Sequence, residues 1–285
     1  MKTKRMVLAM LVVLGLVALA AAQGTASGSG FQLSTPTQRK APPAPKTAEE
    51  GTAYQAIVAN PDLAAAETAS KDFEAKFAQS ELRGPIYQNL MYRYQQSNNA
   101  DKTVEMGRKA LQFDGENPMV LVTVASVISE RTRETDLDRD QRLAEAMKDA
   151  QHALDGMESW LNTAPPPVTD QLAQSMKPLL SSFAHASMGM VEMVRKNPAE
   201  AEKHYRVSVE LNTTRPDPVT LLRLALALDQ QKKYADAFPF ANRAVELSAT
   251  TGGMVAEQAK QEQARLSQLT GQKPPVPTTA PPPKP

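Results

Sequence analysis

The chain has 285 residues, enough for one large domain or an extended array with a sizeable buried surface. Aromatic residues make up only 5% of it and cysteine is absent, which excludes disulfides, thiolate metal sites, cysteine catalysis and a lipid-modified N-terminal cysteine. The formal net charge is +1 and no stripe of Lys and Arg is present, so nucleic acid is not an expected partner.

Residues 1–22 have the form of a signal peptide: Lys2, Lys4 and Arg5, an apolar core from Val7 to Leu19, then Ala20-Ala21-Ala22 as a small-residue cleavage site. The apolar run falls short of the roughly 20 residues a spanning helix needs. Cleavage is therefore expected, leaving no stable membrane span and 29 basic against 31 acidic side chains, a net charge of −2. The expected location is the periplasm or cell envelope, with secretion as the other outcome of export. Residues 23–47 read as a disordered Gly/Ser/Pro-rich linker and residues 272–285 as a Pro-rich disordered tail, because neither holds enough apolar side chains to offset ordering entropy.

Between them, residues 48–271 carry an almost uninterrupted helical pattern. Thr47–Val58 and Pro61–Gln79 read as a degenerate hairpin within 48–82. Further on, Asx-Pro pairs mark helix starts at Asn60, Asn117, Asn197 and Asp217, where the Asx side chain can cap and proline at the first helical position loses no hydrogen bond. Glu200 stands at the capping-box position after Asn197. In 217–250, Leu221, Leu224, Ala225 and Leu228 form one apolar helix face, and Tyr234, Ala237, Ala241, Ala244 and Val245 form another after a short QQKK turn. Pro239 lies inside that second helix and predicts a kink there, or a helix that starts one turn late. A hairpin of this kind cannot bury its face alone and needs stacked copies of itself.

These features resemble the tetratricopeptide repeat (TPR) family, helix–turn–helix units of about 34 residues. Earlier copies fall near 84–115 (Tyr87, Leu90, Tyr94, then Thr103, Gly107, Ala110), 118–158 (Val124-Ala125, then Ala146, Ala150, Ala153) and 168–213 (Met188-Gly189, then Ala201, Tyr205, Ser208). The run LAAAETASKDFEAKFAQSEL further resembles exported repeat proteins of bacterial envelopes, including outer-membrane assembly and Tol-Pal-associated factors. Spacing is irregular: 43 residues separate Ala110 from Ala153, and 55 separate Ala153 from Ser208. Insertions at RTRETDLDRD and NTAPPPV account for the excess, with the first helix after NTAPPPV lengthened at its start and bent at Pro178. Residues 252–270 read as a capping helix, polar except for a stripe of Val255, Ala259, Leu266 and Leu269. The predicted fold is all-α, a right-handed α-solenoid of stacked TPR-like repeats with disordered tails.

Candidate chemistry is sparse. Asp136, Asp138 and Asp140 alternate as at the start of a calcium loop, but Gln141 and Met147 stand where the cage needs Gly and Glu. Met188, Met190 and Met193 lie on different sides of a helix and suit core filling better than soft-metal binding. His152, His185 and His204 show no metal-ligand spacing, and no nucleophile–base–acid set, phosphate loop or G-x-S-x-G motif occurs. Trp160 reads as a packing residue at the end of its helix. No cofactor and no enzymatic activity are expected.

The TPR resemblance implies a concave face lined by first helices that grips a protein or peptide. Carried over onto this chain, the groove positions are Gln88, Tyr92, Gln95, Val122, Ser126, Met190, Met193, Leu222, Leu226 and Asp229. That surface is mixed apolar and polar and lacks the Lys/Arg clamp that captures a C-terminal carboxylate. The implied function is a non-catalytic interaction scaffold of the periplasm or envelope. The alternative is an envelope-assembly or chaperone-like factor that holds unfolded clients.

Overall fold

A computed structural model describes residues 39–249 and 252–273; the expected signal peptide, the first part of the linker and nearly all of the Pro-rich tail lie outside these residues. The described residues form eleven helices: α1 Ala48–Val58, α2 Leu63–Lys76, α3 Arg83–Gln96, α4 Ala100–Leu111, α5 Pro118–Arg131, α6 Arg139–Thr163, α7 Asp170–Val194, α8 Pro198–Leu211, α9 Pro218–Gln230, α10 Tyr234–Ser248 and α11 Gly253–Thr270.

The helices pair as antiparallel hairpins, α3 with α4, α5 with α6, α7 with α8 and α9 with α10, and each hairpin stacks on the next. Three of these hairpins turn in the same way. Asn98, Lys196 and Lys232 each adopt positive φ near 62° at the equivalent turn position. The next N–H then reaches back to the carbonyl of Tyr94, Glu192 or Leu228 at 2.9–3.0 Å, closing a Schellman-type cap. The α5–α6 hairpin departs from this pattern, with residues 132–138 inserted between its helices.

Small residues set the close packing. A β-carbon on Gly107 would stand 2.4 Å from Val124 Cγ2, and Ala225, Ala237, Ala241 and Ala244 are fully buried along the α9–α10 seam. Buried acids staple one hairpin to the next. Glu67 of α2 accepts from Lys102 Nζ at 2.8 Å and the Tyr94 hydroxyl at 2.8 Å. Glu202 of α8 accepts from Gln231 Nε2 at 2.9 Å and Lys233 Nζ at 2.7 Å. Burial opposes ionisation of both acids, yet these donors hold each carboxyl down at about 2.

First helices α5, α7 and α9 touch one another, whereas the second helices α4, α6, α8 and α10 make no substantial contact among themselves. The first helices therefore form the inner layer of a curved stack, and the chain is an all-α, TPR-like solenoid. The excess length between Ala153 and Ser208 goes into both helices, since α6 and α7 each run to 25 residues and overhang the stack. Trp160, Met157, Leu161, Val168 and Leu180 form a small core of their own in that overhang. Pro178 is accommodated inside α7.

Several local expectations need correction. α2 starts at Leu63 rather than at Asn60-Pro61, because Asp62 caps the Ala64 and Ala65 N–H groups at 2.8 and 3.1 Å. Asn117 and Asp217 cap α5 and α9 as expected. Asn197 forms no side-chain cap; its amide donates to Glu192 at 3.1 Å, and Glu200 pairs with Lys203 instead of closing a capping box. α10 does not start late, since the Lys233 carbonyl accepts from Ala237 at 3.0 Å and the helix runs on through Pro239. At the C-terminal end, Val255, Ala259 and Leu266 of α11 are buried, while Leu269 is exposed.

Candidate functional site

The inner layer presents one face of α3, α5, α7 and α9, and two recesses lie along it. At the C-terminal ends of α3 and α5 a crevice is lined by Gln95, Ser126, Glu130, Phe183, Ser187 and Arg223, among others. At the N-terminal ends of α3, α5 and α7 a wider cleft of about 1770 Å³ opens, with Tyr54, Gln88, Tyr92, Phe113, Met119 and Trp160 in its walls. α3 and α5 share a core through Met91 and Val124, and the cleft opens between their N-terminal ends.

The crevice is organised by charge pairing. Arg223 of α9 donates to Glu130 of α5 at 3.1 Å, bridging across α7. Arg131 donates to the Asn98 side chain at 3.1 Å. The Ser126 and Ser187 hydroxyls meet at 2.7 Å, joining α5 to α7. Both arginines are thus already engaged, so the crevice offers hydrogen-bonding groups suited to a neutral main chain more than to a carboxylate. In the cleft, Gln88 Nε2 donates to the Tyr92 hydroxyl at 3.3 Å, and burial pushes the Tyr92 hydroxyl's pKa up. Trp160 Nε1 donates to Asp114 at 3.0 Å, which fixes its ring at the rim.

The ten residues taken from the family resemblance separate into distinct environments. Gln88 and Tyr92 line the cleft; Gln95 and Ser126 line the crevice. Met190 accepts a weak hydrogen bond from the Tyr205 hydroxyl at 3.9 Å, and Met193 packs, partly buried, against the α8–α9 core. Leu226 is exposed, and Asp229 pairs with Arg265 of α11. Val122 and Leu222 cannot meet a partner. Val122 is buried against Ala150, Ala153 and Ala184, because α5 is enclosed by α4, α6 and α7. Leu222 is buried against Ala244, Val255 and Ala259, because α11 folds back over α9 and α10.

One pairing escaped the sequence reading. His185 of α7 and His204 of α8 place their Nδ1 atoms 3.2 Å apart with stacked rings. Burial, then His204, holds His185 below the usual histidine range. Burial likewise lowers His204, against the pull of Glu192 and Glu200. A separation of 19 residues across a hairpin turn has no signature in local spacing. Among the described residues no helix is long and apolar enough to cross a membrane, and no group of three or more His, Asp or Glu side chains is arranged to hold a metal.

No family model and no curated protein matches the chain. Among solved structures, that of Pseudomonas aeruginosa PilF is similar over 79% of this chain and 95% of its own, at 19% identity and a TM-score of 0.47. An assembly chaperone of RpL4, Acl4 (residues 1–338), is similar over 78% of this chain and 96% of its own, at 11% identity and a TM-score of 0.36. Likeness at this level says nothing of partners or activity.

Proposed function

We propose that this chain is a non-catalytic protein-interaction scaffold, exported to the periplasm or cell envelope, which holds an extended segment of a partner protein along its first-helix face. The observation that supports it is the succession of cleft and crevice along α3, α5 and α7, from the N-terminal to the C-terminal ends of these helices. Export rests on the signal-like residues 1–22. Interior surface of this length, mixed apolar and polar, suits main-chain hydrogen bonding with side-chain pockets.

A photo-reactive amino acid at Gln88 or Leu226 tests the reading, with Lys148 on α6 as the outer-face control. Cross-linking of one stoichiometric partner from the first two positions, and not from Lys148, supports the scaffold. Many unfolded clients at the same two positions support the chaperone-like alternative. Equal cross-linking from Lys148 overturns both.

A further inference from the structure

The cleft is bridged by the chain itself. Lys40 N–H donates to the Thr163 carbonyl at 2.9 Å, and Arg39 Nη1 donates to the Leu161 and Ala164 carbonyls at 3.0 and 3.1 Å. The Arg39 guanidinium also pairs with Asp170 at the start of α7. At the other end Lys46 Nζ donates to the Gln79 carbonyl at 2.8 Å, and Lys46 N–H donates to the Glu50 carboxylate. Pro45 lies over α1, its Cγ 3.3 Å from where a β-carbon on Gly51 would sit. Between these anchors Ala41, Pro42, Pro43 and Ala44 are exposed, and the first three join Pro45 in lining the cleft. The seven steps from Arg39 to Lys46, at about 3.1 Å each, reach roughly 22 Å, so this strap spans from the α6–α7 overhang to the first hairpin.

The walls beneath are unusual for this chain. Of its fourteen aromatic residues, Tyr54, Tyr92, Phe113 and Trp160 line this one cleft, beside Pro165, Pro166 and Pro167. Aromatic walls suit proline rings, and an extended proline-rich segment brings carbonyl acceptors with little ordering entropy left to lose. The resident APPAP strap brings the same residue type to the cleft: proline has no N–H to leave unpaired, and hydrogen bonds fasten only the ends of the strap.

We infer that the cleft is a docking site for a proline-rich segment in polyproline II conformation, and that the chain's own residues 39–46 cover it until such a segment displaces them. The inference rests on the first-helix face being the binding surface, and it adds the ligand class and the gate. The strap releases where Arg39 and Lys46 let go, because its middle is held by little else.

Trp160 is the chain's one tryptophan and stands in the cleft wall, so its emission reports occupancy directly. The test titrates decaproline, with a Gly-Ser decapeptide as control, against the full chain and its Arg39→Ala/Lys46→Ala variant. Circular dichroism confirms that both are equally helical. The expected result is saturable change in Trp160 emission with decaproline alone, and affinity five- to ten-fold higher for the variant. Adding Tyr54→Ala to the variant is expected to reverse most of that gain. Equal affinity with and without the anchors overturns the gate. Absence of saturable binding to either form, or equal response to the Gly-Ser peptide, overturns the ligand class. If that failure coincides with specific cross-linking at Gln88 and Leu226, the scaffold reading stands without it.

Discussion

Gly189 of α7 lies directly under the ring of Tyr205 of α8: a β-carbon at position 189 would stand 2.6 Å from Tyr205 Cε1 and 2.9 Å from Cζ. Tyr205 is fully buried, so its ring has no room to move aside. Gly189→Ala is therefore expected to destabilise the chain by about 1–3 kcal/mol through overpacking. Thermal unfolding followed by circular dichroism measures it; an unchanged Tm contradicts the close approach.

Lys196 and Lys232 hold positive φ at the turns of their hairpins, where an L side chain costs roughly 1–2 kcal/mol. Glycine removes that strain but adds freedom to the unfolded chain. Lys232→Gly is expected to stabilise by a net of about 0.5–1 kcal/mol, seen as a higher denaturant midpoint at unchanged slope.

The staples at Glu67 and Glu202 make stability acid-sensitive. Their carboxyls are held at about 2 in the fold, against 4.5 as the ordinary value. Their contribution is thus complete above about pH 4.5 and is lost as pH falls toward 2. Glu202→Gln is expected to lower stability at pH 7 by about 1–3 kcal/mol and to flatten the decline of Tm between pH 5 and 3. A parallel decline in variant and parent contradicts the staple.

The His185–His204 pair works in a higher window. Both folded-state values lie below the ordinary 6.5, so the neutral pair favours the fold and protonation favours unfolding. Stability is expected to fall as pH drops below about 6.5, because the unfolded chain takes up protons first. His204→Asn should remove much of that slope between pH 7 and 5, measured by denaturant unfolding at each pH.

How legible was this fold? The α9–α10 hairpin could be read from spacing because its seam is local. Leu221, Leu224, Ala225 and Leu228 alternate at helical period and are all buried. The lengthened start of α7 was legible from the excess between Ala153 and Ser208, whereas the equal lengthening of α6 was not, since nothing in NTAPPPV says how far the preceding helix runs. Val122 and Leu222 were misassigned because a family pattern places a residue on a helix face without saying which later helix folds over it. Long-range contacts were not legible at all. Arg39 reaches Leu161, 122 residues on, and Glu130 reaches Arg223 across 93 residues. Composition marks residues 39–46 as tail-like, while the groups that fasten them lie in the α6–α7 overhang at one end and in the first hairpin, at Glu50 and Gln79, at the other.

The central claim, that a partner lies along the first-helix face, is tested most directly by reversing the character of that face without touching the seam. Gln88→Glu combined with Leu226→Glu changes two partly exposed positions on α3 and α9, and Lys148→Glu changes the outer surface of α6. The account predicts that the double variant stays fully helical and loses the partner recovered from the envelope, while Lys148→Glu keeps it. Full recovery by the double variant, or equal loss in Lys148→Glu, would contradict it.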